Sequence, residues 1–537
     1  MKKHNWYINA VFYEINPRSF FDSNDDGIGD LKGITQKLDY IQGLGVDCIW
    51  LQPIYPSPLK DGGYDIADYY GVHEDLGTLE DLKELIQETH KLGMRIILDM
   101  VVNHTSDQCV WFKTAESDVH SPYHDYYVWS DTDKKFQDAR IIFIDTEASN
   151  WTWSEKAQKY YWHRFYASQP DLNYDNPAVR EEMKNIMRFW LGKGIDGFRA
   201  DAVPYLIERD GTNCENLPET HVYLKEMRKL IDEEYPGRIL LAEANQWPKD
   251  LIPYFADGNE FHMAFHFPIM PRIFKSIALG NCESIIHTLN DTPPIPDNCQ
   301  WCTFLRNHDE LTLEMVTAED RQLLWDLYAP DKRMRLNLGI RRRLAPLLNG
   351  NKRKIELLYA LLFSLPGAPI IYFGDEIGMG ENIWLNDRDG VRTPMQWSDE
   401  PNAGFSKQVS NELYLPVIDH KPYNYQLINV KTQLNDNESL FNHLKELILI
   451  RKNHLVFSSQ NYEFCNLNMP AVFSITRRNE NESILCLHNL SNGIQSIPLG
   501  TRKYHLLRSS NVLKEKRTLI EEDIILEPYT YAWLIAI

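Results

Sequence analysis

The chain has 537 residues, of which 43% are hydrophobic and 25% charged. This is the ordinary composition of a globular protein, and the length predicts more than one domain. Asp and Glu number 76 against 56 Lys and Arg, so the net charge is −20 at pH 7. Because this charge repels phosphate backbones and anionic membrane surfaces, we predict neither a nucleic acid nor a membrane as partner.

The N-terminal segment and the cysteines both indicate the cytoplasm. Residues 1–15 begin with basic side chains but contain no long apolar run, so neither a signal peptide nor a membrane anchor is predicted. The eight cysteines are scattered along the chain, as is typical of a reducing compartment. Cys299 and Cys302 form a C-x-x-C pair, but a structural zinc site would need a second ligand pair at suitable spacing. We therefore expect a cytoplasmic protein without an organic cofactor.

Eight short apolar runs recur along the chain, and amphipathic helical patterns separate many of them. One helix carries Ile34, Leu38 and Ile41 on a single face, and another is capped by Asn176 and opened by Pro177. Repeated βα units of this kind predict an α/β fold, the (β/α)₈ TIM barrel, with its active site at the C-terminal ends of the strands. The predicted strands are residues 10–15, 48–51, 95–102, 197–201, 239–243, 263–267, 303–307 and 369–373.

Two spacings between these runs are long enough to be insertions. The first, residues 104–176, is rich in Trp, Tyr and Asp and predicts an inserted subdomain B after the third strand, over the barrel mouth. The second lies between the seventh and eighth runs, and we expect it to form helices that cover the site. It contains Arg341, Arg342 and Arg343, a run more typical of a solvated or salt-bridged helix face than of a binding site.

The pattern changes near the C-terminus. After an amphipathic helix over residues 440–453, short alternating segments predict an antiparallel β-sandwich. The predicted domains are the barrel over 1–103 and 177–457, subdomain B over 104–176, and the C-terminal sandwich over 458–537.

Carboxylates at the strand ends carry the predicted chemistry. Arg199 and Asp201 are two apart on one strand, so they point the same way and the Arg favours an ionised carboxylate. Glu243 ends an apolar strand, where a dry setting raises the pKa of an acid. Asp309 follows the seventh strand beside His308. One carboxylate to form a glycosyl ester and one acid to protonate the leaving oxygen are what a retaining glycosidase needs.

The order of these motifs resembles the α-amylase superfamily of glycoside hydrolases and transglycosylases along essentially the whole chain. The resemblance implies that Asp201 is the nucleophile, Glu243 the general acid/base and Asp309 the carboxylate that stabilises the transition state. It also implies a set of side chains that hold the sugar through hydrogen bonds. These substrate-binding residues are Tyr64, Asp65, His104, Gln169, Arg199, His308 and Arg392.

Two structural Ca²⁺ sites are predicted, neither with a part in the chemistry. Residues 22–30 alternate oxygen ligands with a turn glycine, like the first half of an EF-hand loop, although a plain Asp-rich turn gives the same pattern. The resemblance implies a second site beneath subdomain B, formed in part by backbone carbonyls. The predicted ligands are Asp22, Asn24, Asp26, Ile28 and Asp30 in the loop, and Asn103, Asp171, Tyr205, Leu206 and Glu208 in the second site.

Longer stretches around the carboxylates select the reaction. Residues 211–221, 242–248, 264–268 and 306–316 resemble the trehalose synthases, or maltose α-D-glucosyltransferases. This resemblance implies the reversible isomerisation of maltose to trehalose through a covalent glucosyl-enzyme, with minor hydrolysis to glucose. Since the freed glucose must stay beside the ester while water is excluded, a lid is required, and the two insertions are the candidates.

Two other functions remain open from the sequence. An exo-acting α-glucosidase or oligosaccharide hydrolase would use the same barrel and carboxylates. A non-catalytic carbohydrate-binding protein is the alternative from another class, but the three carboxylates argue against it. Pure maltose as substrate separates the isomerase from the hydrolase, and the sequence leaves open whether the chain forms a homo-oligomer.

Overall fold

Eight parallel strands close into a barrel in a computed structural model, which describes residues 5–408, 412–465, 467–510 and 518–537. Each strand pairs with the next along the chain, and the eighth returns to the first with Phe12 opposite Ile370. The predicted TIM barrel is therefore confirmed. The strands are Phe12–Ile15, Cys48–Leu51, Arg95–Val101, Gly197–Asp201, Ile239–Ala242, Met263–Phe265, Gln300–Phe304 and Ala368–Tyr372.

Helices connect successive strands and bury one face against the barrel, as an amphipathic pattern requires. Thr78 and Asp81 form a reciprocal capping box at the start of the helix Leu79–Lys91. The Asn176 side chain accepts from the backbone NH of Ala178, and this confirms the predicted cap. The main helices of the barrel are Leu31–Gln36, Leu38–Leu44, Leu79–Lys91, Pro177–Gly192, Pro218–Glu234, Ile269–Leu279, Glu283–Asp291, Lys352–Ser364 and Leu440–Asn453, with shorter ones at Pro17–Phe20, Pro248–Leu251, Leu344–Leu347 and Val430–Leu434.

The first insertion leaves the barrel after the third strand and forms a helix and a three-stranded antiparallel sheet. The helix is Val110–Ser117, and the strands are Trp129–Ser130, Trp151–Ser154 and Lys159–Trp162. Trp151 and Trp162 pack with Phe136 in a small core of their own. The domain boundaries drawn from the sequence stay a prediction, and the parts at 1–4, 409–411, 466 and 511–517 lie outside the described residues.

The second insertion contains the helix Ala318–Tyr328 and a hairpin of Arg335–Leu336 and Gly339–Ile340. Arg341, Arg342 and Arg343 follow this hairpin, so their assignment to a helix face was wrong. The salt bridges were anticipated correctly, since Arg342 lies 2.6 Å from Glu381 and the fully buried Arg343 lies 3.2 Å from Asp375. All three side chains contact the segment that follows the eighth strand, so they are buried or half-buried and do not form a solvated face.

Two antiparallel sheets at the C-terminus confirm the predicted sandwich. Leu487 and Leu534 of the larger sheet share a core with Ile497 and Leu526 of the smaller one. The larger sheet consists of Tyr462–Phe464, Val472–Arg478, Ser483–Asn489, Tyr531–Ala536, Tyr504–Ser509 and Leu519–Ile520, and the smaller of Gln495–Ile497 and Ile524–Leu526. In the described part of the chain, no helix has the length and apolarity needed to cross a bilayer.

Candidate active site

A cavity at the C-terminal ends of the barrel strands contains the three predicted carboxylates. Asp201 ends the fourth strand, Glu243 follows the fifth, and Asp309 lies in the loop after the seventh. Side chains from both insertions form part of its wall. The cavity is lined by Asp61, Tyr64, His104, Ile142, Phe143, Phe165, Asp201, Ala202, Tyr205, Glu243, Asn245, Phe267, Asn307, His308, Asp309, Glu310, Thr312, Glu314 and Arg388.

The Arg199 guanidinium is the electrostatic centre of this site. It is 1% exposed, and its Nη1 lies 2.5 Å from Asp201 Oδ1 and 2.7 Å from Asp99 Oδ1. Its Nη2 lies 2.7 Å from Glu243 Oε1. The period of two along a strand places Arg199 and Asp201 on the same side, and Asp99 comes from the neighbouring third strand. One cation therefore serves three carboxylates.

Asp201 and Glu243 have different proton affinities. Burial raises the pKa of Asp201 to about 6 despite the opposing charge of Arg199. Burial also raises the pKa of Glu243 to about 7, again against Arg199. The sequence predicted that the adjacent Arg favours the ionised carboxylate, and in the structure burial outweighs this effect of Arg199 on the pKa of Asp201. Glu243 therefore holds its proton more tightly than Asp201, which is the order that retention requires of its acid and its nucleophile.

Asp309 is surrounded by positive charge. Its carboxylate oxygens lie 3.1 Å from His308 Nε2, 3.2 Å from Arg392 Nη2 and 3.3 Å from Arg388 Nε. Burial alone would raise its pKa, but His308 and the two arginines hold the pKa of Asp309 well below its usual range. Although burial opposes it, Asp309 and Glu14 raise the pKa of His308 to about 9. At neutral pH this part of the site is an anionic Asp309 beside a cationic His308.

Tyr64 and His104 offer surfaces for a sugar ring. The Tyr64 ring stacks on His308 with centroids 5.1 Å apart and planes 5° apart. The Nε2 atom of His104 is buried and has no hydrogen-bond partner, and burial lowers the pKa of this imidazole to about 3. A neutral imidazole nitrogen without a partner is suited to pair with a sugar hydroxyl.

Asp65, which was predicted to bind the substrate, is not the acid of this loop that lines the cavity. Asp65 is fully buried outside the cavity wall, where its carboxylate accepts from Ser57 Oγ at 2.9 Å and from the backbone NH of Lys60 at 2.9 Å. Asp61 lines the cavity and lies 2.8 Å from Arg388 Nη1. The acid that faces the substrate space is therefore Asp61, a residue missed in the sequence, and Asp65 supports the turn that presents it.

Gln169 and Arg392 lie behind the cavity wall. The Gln169 Nε2 atom donates to Asp61 at 2.9 Å, and Arg392 Nε donates to the carbonyl of His308 at 3.0 Å. Both side chains therefore orient groups that face the cavity.

The second predicted calcium site is a group of buried oxygens. Asn103 Oδ1, Asp171 Oδ2 and Glu208 Oε1 are buried and have no hydrogen-bond partner. Burial raises the pKa of Asp171 to about 8, and burial together with the charge of Asp171 raises that of Glu208 well above its usual range. Oxygens left without donors and carboxylates that repel each other are what a hard cation would correct, so this donor set fits Ca²⁺. The short helical turn Val203–Tyr205 leads into Leu206 and Glu208, while the Tyr205 ring itself lines the active-site cavity.

The loop at residues 22–30 is held together by its own hydrogen bonds. Asp22 accepts from the backbone NH groups of Asp25 and Gly27 at 2.8 Å each, and Asp30 caps the next helix through the NH of Gly33. No three His, Cys, Asp or Glu side chains converge on a metal-sized point in the part of the chain that the structure describes. The predicted ligands Asp22, Asn24, Asp26, Ile28 and Asp30 stay a prediction from the sequence.

The two insertions meet across the cavity mouth, and sequence reasoning missed every one of these contacts. Arg140 of subdomain B lies 3.1 Å from Glu314, and the Asn337 backbone NH donates to Asp145 at 2.7 Å. We call these two contacts the lid latch. Asn245, two residues after Glu243, adds a hydrogen bond of 2.9 Å to Glu314. The residues that form these contacts are far apart in sequence. The unusual composition of the first insertion was the only feature of the sequence that pointed to it as a lid.

Comparison with known proteins places this geometry in a family. The family model for the α-amylase catalytic domain matches residues 14–329 and 341–460. The chain is 55% identical to a trehalose synthase/amylase of Mycolicibacterium smegmatis, over 93% of this chain and 86% of that protein. It is 53% identical to a trehalose synthase of Pimelobacter sp., over 93% and 89%. The crystal structure of a trehalulose synthase from Pseudomonas mesoacidophila superposes with a TM-score of 0.81 at 28% identity, over 99% of both chains. The chain therefore belongs to the α-amylase family and, within it, to the trehalose synthases.

Proposed function

We propose that the enzyme interconverts maltose and trehalose by moving a glucosyl group within one closed site. In the first step Asp201 attacks the anomeric carbon, the bond to the leaving glucose breaks, and Glu243 gives its proton to the leaving oxygen. The free glucose then turns so that its anomeric hydroxyl faces the ester. Glu243 takes the proton of that hydroxyl, the new bond to oxygen forms, and Asp201 is released. Two inversions retain the α configuration.

The lid latch is the observation that favours isomerisation over simple hydrolysis. An isomerase must keep the freed glucose in place and water out until the second step, whereas a hydrolase needs only to admit water. The side chains of Ile142, Phe143 and Phe165 form an apolar wall from subdomain B, and the latch ties that wall to the second insertion. The two trehalose synthases to which the chain is similar support the same reaction.

Incubation with pure maltose tests the reaction. Trehalose as the main product, with a small share of glucose, is expected. Glucose as the sole product would overturn the isomerase and favour an exo-acting α-glucosidase. Labelled free glucose added to the same reaction should stay out of the trehalose, because the glucose that reacts never leaves the site.

We propose in addition that Ca²⁺ binds the buried oxygens of Asn103, Asp171 and Glu208. The support is their lack of hydrogen-bond partners, and the ion would fix the base of subdomain B without entering the chemistry. Chelation should lower the thermal transition of the protein, and Ca²⁺ should restore it. Glu208→Gln should remove that response, and a chelator effect that is equally large in this variant would contradict the site.

The cytoplasm is the compartment we propose. All eight cysteines are free thiols, and seven of them are buried. A secreted chain would be expected to use some of them in disulfides. Separation of cell fractions, with antibody detection of the chain, tests the assignment, and recovery outside the cytoplasmic fraction would contradict it.

A further inference from the structure

A short segment, residues 211–217, lies between subdomain B and the barrel. On one side Cys214 is fully buried among Trp151, Trp162 and Ala139 of subdomain B. On the other side the backbone NH of Asn216 donates to the carbonyl of Pro204 at 3.0 Å. The segment is therefore packed against both bodies, and the residue between these two anchors is Glu215.

The Glu215 side chain joins three parts of the molecule. Its Oε1 atom lies 2.8 Å from Arg140 Nε and 2.9 Å from Arg164 Nη2, both from subdomain B. Its Oε2 atom accepts from Gln246 Nε2 at 3.2 Å, and Gln246 follows the acid/base Glu243 by three residues. The Glu215 and Arg164 side chains are 4% and 0% exposed, so this is a dry contact. A dry ion pair is screened much less by salt than one on the surface.

The backbone on both sides of Glu215 is left-handed. Cys214 has φ of 54° and Asn216 has φ of 56°. Asparagine adopts this region readily, whereas cysteine rarely does, so Cys214 is the strained residue. Strain of this kind persists only where the surrounding structure enforces it. The packing of Cys214 among the side chains of subdomain B supplies that constraint and so fixes the position of Glu215.

Glu215 connects to the lid latch through Arg140. The Nε atom of Arg140 faces Glu215, while its Nη1 atom lies 3.1 Å from Glu314 on the second insertion. Its Nη2 atom also donates to Tyr205 Oη at 3.3 Å, a longer contact, so loss of Glu215 would leave the 34% exposed side chain more weakly held against Glu314. We propose that Glu215 is a positioning residue that holds Arg140 against Glu314 and so sets how often water, rather than glucose, takes the glucosyl group. This inference rests on the proposed isomerase function.

The ratio of glucose to trehalose formed from maltose tests the inference, because a purely structural role would not change it in folded enzyme. Glu215→Gln removes the charge but keeps the shape, and Arg140→Met removes the guanidinium. Each should raise the ratio at least about twofold. This change corresponds to the smallest interaction energies found between residues of one ion-pair network. The double variant should match the single ones, since both act through the same contact. Glu219→Gln, which removes an exposed carboxylate 3.1 Å from Arg209, is the matched control and should leave the ratio unchanged.

The thermal transition of each variant is measured beside the ratio, and assays run well below it. If Glu215→Gln fails to fold because Arg164 loses its buried partner, Glu215→Asp keeps the charge and shortens the reach. A higher ratio in Glu215→Asp supports the inference. A ratio equal to the parent enzyme in a folded Glu215 variant, or additive effects in the double variant, would overturn it. A parent enzyme that forms no trehalose would overturn the proposed function instead.

Discussion

Asp201 and Glu243 have roles that single substitutions can separate. Asp201→Asn keeps the size of the side chain but cannot form the glucosyl ester, so we expect turnover to fall by at least about 10⁴-fold, as for other nucleophiles. The fold should remain intact because Arg199 still pairs with Asp99 and Glu243. Initial rates on maltose and circular dichroism check this. A folded variant with near-normal rate would end the assignment of the nucleophile.

The pH dependence should be bell-shaped. Asp201 must be ionised, so activity should fall as the pH drops through about 6, the pKa that burial gives it. Glu243 must be protonated, so activity should also fall as the pH rises through about 7. Glu243→Gln should lose roughly 10² to 10⁴-fold in rate and the limb on the alkaline side. An alkaline limb that survives in this variant would assign it to another group.

The sequence located the residues whose positions depend on local chain geometry. Asp201, Glu243 and Asp309 each stand at or near the end of a strand, and strand ends can be read from short apolar runs. Asp61 was missed because its distinguishing contact, with Arg388, spans 327 positions. Asp65 has the same chemistry four residues later, and only the folded turn shows which of the two faces the cavity.

The two insertions should control how much of the glucosyl ester is hydrolysed by water. Asp145→Ala removes the acceptor for the Asn337 backbone NH and weakens the lid latch. At the roughly 0.5–1.5 kcal/mol of a single hydrogen bond, the glucose share should rise about two- to tenfold. Product analysis by chromatography measures it. Asp131→Ala removes an exposed partner of Lys159 in the same subdomain and should change nothing. A rise in both variants would point to general loosening of subdomain B.

The bounds of helices and strands were predicted best where a single periodic pattern determines them. The helix Leu440–Asn453 has the predicted bounds. The seventh strand is Gln300–Phe304, three residues before the predicted run at 303–307, because its ladder begins at Gln300 and ends at Phe304. The helix through Ile34 and Leu38 is interrupted at Lys37, although both side chains are buried. Apolar patterns report burial, and burial alone does not fix where a ladder or a helix stops.

The whole molecule should unfold as one unit. Phe473 and Trp533 of the C-terminal sheet share the main core with the barrel. The fully buried Arg477 donates to the carbonyls of Ser364 at 2.6 Å and Phe457 at 3.1 Å. Calorimetry should therefore give a single transition. Arg477→Ala should lower it, since each carbonyl left without a donor costs about 1–3 kcal/mol. Two separate transitions in the parent protein would show that the sheet and barrel unfold independently.

The position of Arg199 affects both steps of the reaction. Before the first step the negative charge beside it belongs to Asp201, and after that step Asp201 is a neutral ester while Glu243 has become the anion. The Arg199 guanidinium lies within 2.7 Å of both carboxylates. It is therefore already in place as counter-ion when the negative charge moves from Asp201 to Glu243. The local charge sum is the same before and after the transfer. The forward and reverse directions therefore meet similar electrostatics, as an enzyme that runs between two disaccharides requires.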